Sequence, residues 1–225
     1  MNTTKMIHKE NGVIRAMRRV VAGTVLASSI MLAAKPVRAD SIELMAGQKS
    51  ATVDMKASAE LTKKAGVLIR ARPSQDFSTG NITSFGLVDL TLNMAPCFDA
   101  VAEVQFSGGA AVPRAGAQNY TSVGDLSLYE IATVGLDNKP YVEILVTATY
   151  TPSLSDGLKL LIRIENINDF DKTGNNWSTQ RGRLGVGISG WGIGTALDLT
   201  ETGNHPKTSD GSLGWNAGGF VSKNF

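Results

Sequence analysis

Apolar and polar residues alternate one by one through most of this chain, and this period of two restricts the fold more than any other feature. From Phe98 to Phe106 the even-numbered positions are Phe, Ala, Ala, Val and Phe, whereas Asp99, Glu103 and Gln105 occupy odd-numbered positions. Successive side chains of a β-strand point to opposite faces, so each such run predicts a strand with one apolar and one polar face. Turn-forming residues separate the runs, and we therefore expect antiparallel strands with one buried and one solvated face.

Two all-β architectures fit this pattern. The first is an antiparallel β-sandwich or jelly roll of about eight to ten strands, in which the apolar faces form the core. The alternative is a small outer-membrane β-barrel, in which those faces contact lipid. The chain has only 4 Tyr, 3 Trp and 7 Phe for aromatic belts, and Lys223 shares a strand face with Val221 and Phe225. Because a lysine in contact with lipid is costly, we expect the sandwich.

The first 39 residues have the features of a cleavable export signal. Arg15, Arg18 and Arg19 precede an apolar run over residues 20–34, and Val37-Arg38-Ala39 has the small-residue spacing of a cleavage site. We therefore expect a single β-rich domain over residues 40–225, located in the periplasm, at the cell surface or outside the cell. No later apolar run approaches the ~20 residues of a spanning helix.

Removal of this segment reverses the sign of the net charge. It holds seven of the 22 Lys and Arg residues and one of the 20 Asp and Glu residues, so the formal charge changes from +2 for the whole chain to −4 for residues 40–225. An acidic exported domain has no electrostatic attraction to nucleic acid, and we expect no nucleic-acid partner.

The small numbers of histidine and cysteine residues restrict the kinds of site that this chain can form. Beyond residue 39 the chain has one histidine, His205, and one cysteine, Cys97, which excludes an internal disulfide and a zinc site with several His or Cys ligands. We expect Cys97 to be a small buried residue at a turn. These counts favour a protein that is not an enzyme and has no cofactor. Four strand-borne glutamates could still serve a glycan-active hydrolase: Glu103, Glu130, Glu143 and Glu165.

Two groups of residues are candidates for binding. Asp169, Asp171 and Thr173 alternate before a glycine, as at the start of a calcium-binding loop, but the glutamate expected at the twelfth position is absent. The three tryptophans lie in the glycine-rich last quarter of the chain and could stack on sugar rings: Trp177, Trp191 and Trp215.

The sequence is most consistent with an exported structural subunit of a fimbrium-like fibre, or an adhesin. Residues 48–61 resemble the N-terminal strands that fimbrial subunits donate to one another, and 40–61 could extend a neighbour's sheet in the same way. The alternative is that 40–61 pairs within its own domain. We expect self-association or other surface subunits as partners. The alternative functions are a carbohydrate-binding module, a secreted hydrolase or an outer-membrane β-barrel.

Overall fold

The structure, a computed structural model, describes residues 38–137, 141–172, 174–205 and 212–225. Residues 1–37 of the expected export signal lie outside these ranges. The described residues form strands and turns, and none of their segments is a helix long and apolar enough to cross a bilayer. The strands are β1 (Arg38–Gly47), β2 (Ser50–Glu60), β3 (Ala65–Asp76), β4 (Ile82–Ala95), β5 (Phe98–Ser107), β6 (Ala110–Val123), β7 (Leu126–Gly135), β8 (Val142–Tyr150), β9 (Ser153–Ser155), β10 (Leu158–Asp171), β11 (Gly174–Ile188), β12 (Trp191–His205) and β13 (Ser212–Asn224).

The sheet closes on itself as an up-and-down barrel. Every long strand pairs antiparallel with its neighbours in the sequence, and β1 pairs with β13, with Ser41 opposite Asn224 and Gly47 opposite Gly218. Within the described ranges twelve strands form the closed ring, because the three-residue β9 pairs with β10 beyond the end of β8. Pro152, which has no N–H to donate, separates β8 from β9, and its carbonyl accepts a hydrogen bond from the Leu160 amide at 2.9 Å.

The prediction of antiparallel strands is confirmed, the sandwich is wrong, and the barrel alternative has the observed architecture. The alternation assigns residues to the correct faces, but the burial of those faces is reversed. On β5, Val104 and Phe106 are 37% and 45% exposed on the outside, whereas Glu103 and Gln105 are buried inside. In a sandwich the apolar faces of two sheets pack against each other and form the core. In this barrel the apolar faces point outwards, and the interior is largely polar.

Residues 40–61, which we considered as a donated strand, pair within their own chain. β1 is bonded to β13 on one side and β2 on the other, and β2 continues the sheet to β3. Barrel closure therefore occupies both edges of this segment.

The two ends of the barrel differ in their connections. At one end, which we call the tight-turn end, the two-residue turns 96–97, 124–125, 156–157 and 189–190 join strands. Cys97 and Ser189 adopt positive φ angles of 64° and 50° there, and Cys97 is exposed rather than buried. Residues 61–64 also connect two strands at this end. The opposite end, which we call the long-loop end, carries the longer connections 77–81, 136–141 and 206–211 as well as the two-residue connections 48–49, 108–109 and 172–173.

Aromatic side chains encircle the outer face near both ends. The exposed aromatics at the tight-turn end are Phe98, Tyr120, Tyr150, Trp191 and Phe225, and those at the long-loop end are Phe77, Phe106, Phe170 and Trp215. Between these two groups the outer face presents aliphatic side chains such as Leu90, Ile164 and Leu197, which are 42% to 57% exposed. The outer surface is therefore an aliphatic band flanked by two aromatic girdles.

Candidate functional site

The barrel interior contains a network of ion pairs, which we call the lumen lattice. Its members are the guanidinium groups of Arg70, Arg72, Arg163, Arg181 and Arg183 and the carboxylates of Glu43, Asp54, Glu165 and Asp198. These side chains come from six strands, β1, β2, β3, β10, β11 and β12. Five positive charges face four negative ones, so the lattice carries a formal charge of +1.

Glu165 is the centre of one half of the lattice. Its carboxylate accepts hydrogen bonds from Arg70 at 2.9 Å, Arg72 at 3.0 Å and Arg181 at 3.1 Å. Arg70 also makes a two-point contact with Asp54, with Nε and Nη2 at 2.9 and 2.6 Å from the two carboxylate oxygens. Such bidentate, charge-assisted hydrogen bonds fix both the position and the orientation of a guanidinium.

Arg183 connects the other half of the lattice. Its Nη1 donates to Asp198 at 2.6 Å and its Nε donates to Glu43 at 2.8 Å. Arg163 donates to the second oxygen of Glu43. Because Arg163 and Arg183 are cross-strand neighbours of like charge, the Glu43 carboxylate that binds both offsets their repulsion.

The period of two explains how the chain builds this lattice. Arg70 and Arg72 are two residues apart on β3, as are Arg181 and Arg183 on β11, so each pair points into the lumen. Register then brings the partners together, because Arg181 lies directly opposite Glu165 on β10 and Asp198 on β12.

A second group of charges, which we call the acidic cluster, lies on β4 to β8. The Arg114 guanidinium lies between two carboxylates, with Nη1 3.1 Å from Glu143 and Nε 3.2 Å from Glu103. A third carboxyl group, that of Asp89, lies directly opposite Glu103 on the neighbouring strand. Gln105 accepts a hydrogen bond from Arg114 at 2.9 Å. The cluster has three carboxyl groups for one guanidinium, whereas the lumen lattice has more guanidinium groups than carboxyl groups.

Two cavities meet at the lumen lattice. The wider one, the vestibule, is about 450 Å³ and opens at the long-loop end. Its wall is rich in hydroxyl groups, including those of Ser50, Thr52, Ser74, Thr83, Thr179 and Thr200. The inner cavity is smaller, about 140 Å³, and reaches the acidic cluster at Asp89 and Glu103. Arg72 and Arg181 line both cavities and therefore stand at the boundary between them.

The structure does not bring the three tryptophans together. Trp177 lies in the lumen, where it packs against the cluster of Val101, Ile131, Leu145 and Ile167 and lines the inner cavity. Trp191 is on the outer face at the tight-turn end, and Trp215 is at the vestibule rim at the opposite end, with the Lys49 ammonium 4.8 Å from its ring centre. A sugar could therefore contact at most one of them at a time, and sugar binding by any of them stays a prediction.

The calcium candidates lie at the long-loop end of β10. Asp169 and Asp171 are half-buried there, and Thr173 lies outside the described residues. Across the ranges that the structure covers, no group of three or more His, Cys, Asp or Glu side chains is placed to hold a metal ion. The residues of the lumen lattice were missed as a site because strand-borne charges were assigned to a solvated face. The available signal was the Arg-x-Arg spacing at Arg70–Arg72 and Arg181–Arg183, which places two like charges on one strand face.

No family model matches the sequence, and no curated protein matches it. Among solved structures the chain is similar to LpxR from Salmonella typhimurium, with 9% sequence identity and a TM-score of 0.40 over 82% of this chain and 99% of that chain.

Proposed function

We propose that this chain is an integral outer-membrane β-barrel whose lumen is closed by ion pairs and whose vestibule faces the outside of the cell. The observation that carries the proposal is the reversed burial of its strands. Aliphatic and aromatic side chains are exposed all round the barrel, while arginines and carboxylates lie inside it together with small apolar clusters. In water such a surface would be an extensive apolar patch, whereas in a bilayer it is the surface that lipid tails contact.

Barrel closure supports the same proposal. In the hydrocarbon core no water is available to bond with backbone groups, so a spanning sheet must have no free edge. Here the β1–β13 pairing removes the edge, and the aromatic girdles stand where a bilayer has its two interfaces.

The position of Lys223 removes the main objection to a barrel. Lys223 does share the outer face with Val221, but its ammonium donates a hydrogen bond to the Ser189 carbonyl at 2.9 Å and lies 5.2 Å from the Trp191 ring centre. Both partners are at the tight-turn end, so the charge sits at the rim and not among lipid tails. Long basic side chains commonly extend to the interface in this way.

The closed lumen favours a role other than free diffusion of solutes. The lumen lattice connects strands on opposite sides of the barrel, and the inner cavity beyond it is about 140 Å³. Outer-membrane barrels have short turns on the periplasmic side and longer loops on the extracellular side, and we use this rule to orient the barrel in the membrane. The vestibule at the long-loop end would then face the exterior and the tight-turn end the periplasm.

Fractionation and one pair of variants test the proposal. We expect the expressed protein in the outer-membrane fraction, resistant to carbonate extraction and with a gel mobility that changes on heating. Ile164→Arg places a charge in the aliphatic band and should lower the free energy of unfolding in lipid by about 2–4 kcal/mol. Leu136→Arg, beyond the end of β7, is the matched control and should cost about 1 kcal/mol or less. A folded monomer that stays soluble without detergent would overturn the proposal.

A further inference from the structure

We infer that the vestibule is a binding site for a small hydroxylated organic anion, whose carboxylate, sulfate or phosphate group is held by Arg72 and Arg181. The vestibule also belongs to the proposed function, but anion binding depends on the folded barrel and not on its location in the cell.

The two arginines form a convergent pair at the vestibule floor. Arg72 Nη2 and Arg181 Nη1 both donate to the same oxygen of Glu165, at 3.0 and 3.1 Å, although they come from β3 and β11. This shared partner brings two guanidinium groups close together where the vestibule narrows into the inner cavity. Convergent guanidinium groups with planar arrays of N–H donors suit the oxygens of a carboxylate or phosphate.

Both arginines have a hydrogen-bond donor that lacks an acceptor. The Nε–H groups of Arg72 and Arg181 are buried and have no hydrogen-bond acceptor among the described residues. Asp198 Oδ2 is 4.0 Å from Arg181 Nε, which is too far for a hydrogen bond. The Arg72 side chain is only 6% exposed, so an oxyanion in the vestibule reaches this donor only if the side chain shifts towards it. The free energy that the buried, unpaired donor costs favours such a shift.

The rest of the vestibule suits the body of such a ligand. Hydroxyl groups such as those of Thr52, Ser74 and Thr200 can hydrogen-bond to ligand hydroxyls. The charged side chains of the wall are Lys49, Arg72 and Arg181 against Asp76 and Asp198, a formal excess of one positive charge. The lumen lattice shares Arg72, Arg181 and Asp198 with this wall, and the wall and lattice together still carry a formal excess of one positive charge, which favours an anion at the floor.

Titration calorimetry on the folded protein in detergent micelles tests the inference with three probes. Sodium glucuronate combines a carboxylate with a hydroxylated ring, glucose has the ring without the charge, and sodium sulfate has the charge without the ring. We expect saturable binding of glucuronate, displacement of glucuronate by excess sulfate, and no saturable binding of glucose. Binding of glucose as tight as that of glucuronate, or no saturable binding of glucuronate to the folded protein, would overturn the inference.

Arginine-to-lysine variants test the assigned residues while keeping their charge. Arg72→Lys and Arg181→Lys each lose the free Nε–H, and each should weaken glucuronate binding about tenfold or more. Arg163→Lys is the matched control, since Arg163 belongs to the same lattice but lines neither cavity. Heat-dependent gel mobility verifies that each variant is folded. Equal weakening in all three variants would show a general loss of lattice order and would contradict the assignment, even if the barrel is found in the outer membrane.

Discussion

Arg70 and Glu165 form an ion pair across the full width of the barrel. Arg70 Nη2 lies 2.9 Å from Glu165 Oε2, although β3 and β10 are six strands apart in either direction around the twelve-strand ring. Both side chains are nearly inaccessible to solvent, at 6% and 5% exposure. The contact therefore joins opposite walls directly and occupies the middle of the lumen.

The first prediction concerns the stability that this contact provides. Glu165→Gln removes the carboxylate shared by three arginines and leaves their buried charges without compensation, so the free energy of unfolding should fall by about 3–5 kcal/mol. Urea-induced unfolding in detergent micelles measures the change. Glu60→Gln, at an exposed strand end, should be nearly neutral. Equal effects of the two substitutions would contradict the stabilising role of Glu165.

The second prediction concerns the closure of the lumen. In planar bilayers the wild-type protein should show little conductance, because the lumen lattice crosses its interior. The double variant Arg70→Ala with Glu165→Ala removes both charges of the spanning pair together and should give discrete conductance steps several-fold larger. Ile164→Ala, the outward-facing neighbour of Glu165, is the control and should behave as the wild type does. A wild-type protein with the conductance of an open pore would show that the lattice does not close the lumen.

The sequence predicts the faces of the strands but not which face is inside. The alternation correctly separates Phe98, Val104 and Phe106 from Glu103 and Gln105. A sandwich and a barrel share this period of two, because it reflects only the geometry of a β-strand. The choice between them depends on the pairing of Ser41 with Asn224, and no local pattern specifies a contact between positions so distant in the chain.

The candidate site was harder to predict for a related reason. Glu165 was visible as a strand-borne glutamate, but its contacts with Arg70 and Arg72 require two strands that face each other across the closed ring. A charge on a strand is normally solvated, and that general expectation fails when the polar faces surround a narrow lumen. Only the local pairing of Arg181 with Glu165 follows from hairpin register.

The third prediction concerns a glycine that allows two strands to approach closely. A Cβ at Gly218 on β13 would overlap the Ala46 carbonyl on β1, so Gly218→Ala should destabilise the barrel at its closing seam by about 1–3 kcal/mol. On the same strand a Cβ at Gly214 would be 3.7 Å from the Thr200 carbonyl, which is ordinary contact. Gly214→Ala should therefore be neutral or stabilise by up to about 1 kcal/mol. Unfolding in urea compares the two variants, and a Gly218→Ala variant as stable as Gly214→Ala would refute the steric argument.

The fourth prediction concerns Asp76, the last residue of β3 before the turn 77–81. The Ser78 hydroxyl donates a hydrogen bond to its carboxylate at 2.6 Å, and the Thr79 amide and hydroxyl donate two more. These hydrogen bonds, that from Ser78 first, lower the pKa of the Asp76 carboxyl from 3.8 to about 2. Because the folded value lies below the unfolded one, the ionised carboxylate stabilises the turn above about pH 4, and this contribution is lost as the pH falls towards 2. Ser78→Ala should raise the pKa of Asp76 towards its usual value, since it removes the largest cause of the shift. Carbon NMR titration of labelled aspartate carboxyls in micelles measures this, with Ser155→Ala at the opposite end of the barrel as the control. A wild-type pKa near 3.8, or an equal shift in the Ser155→Ala protein, would show that the Ser78 hydroxyl does not hold the Asp76 carboxylate in its ionised form.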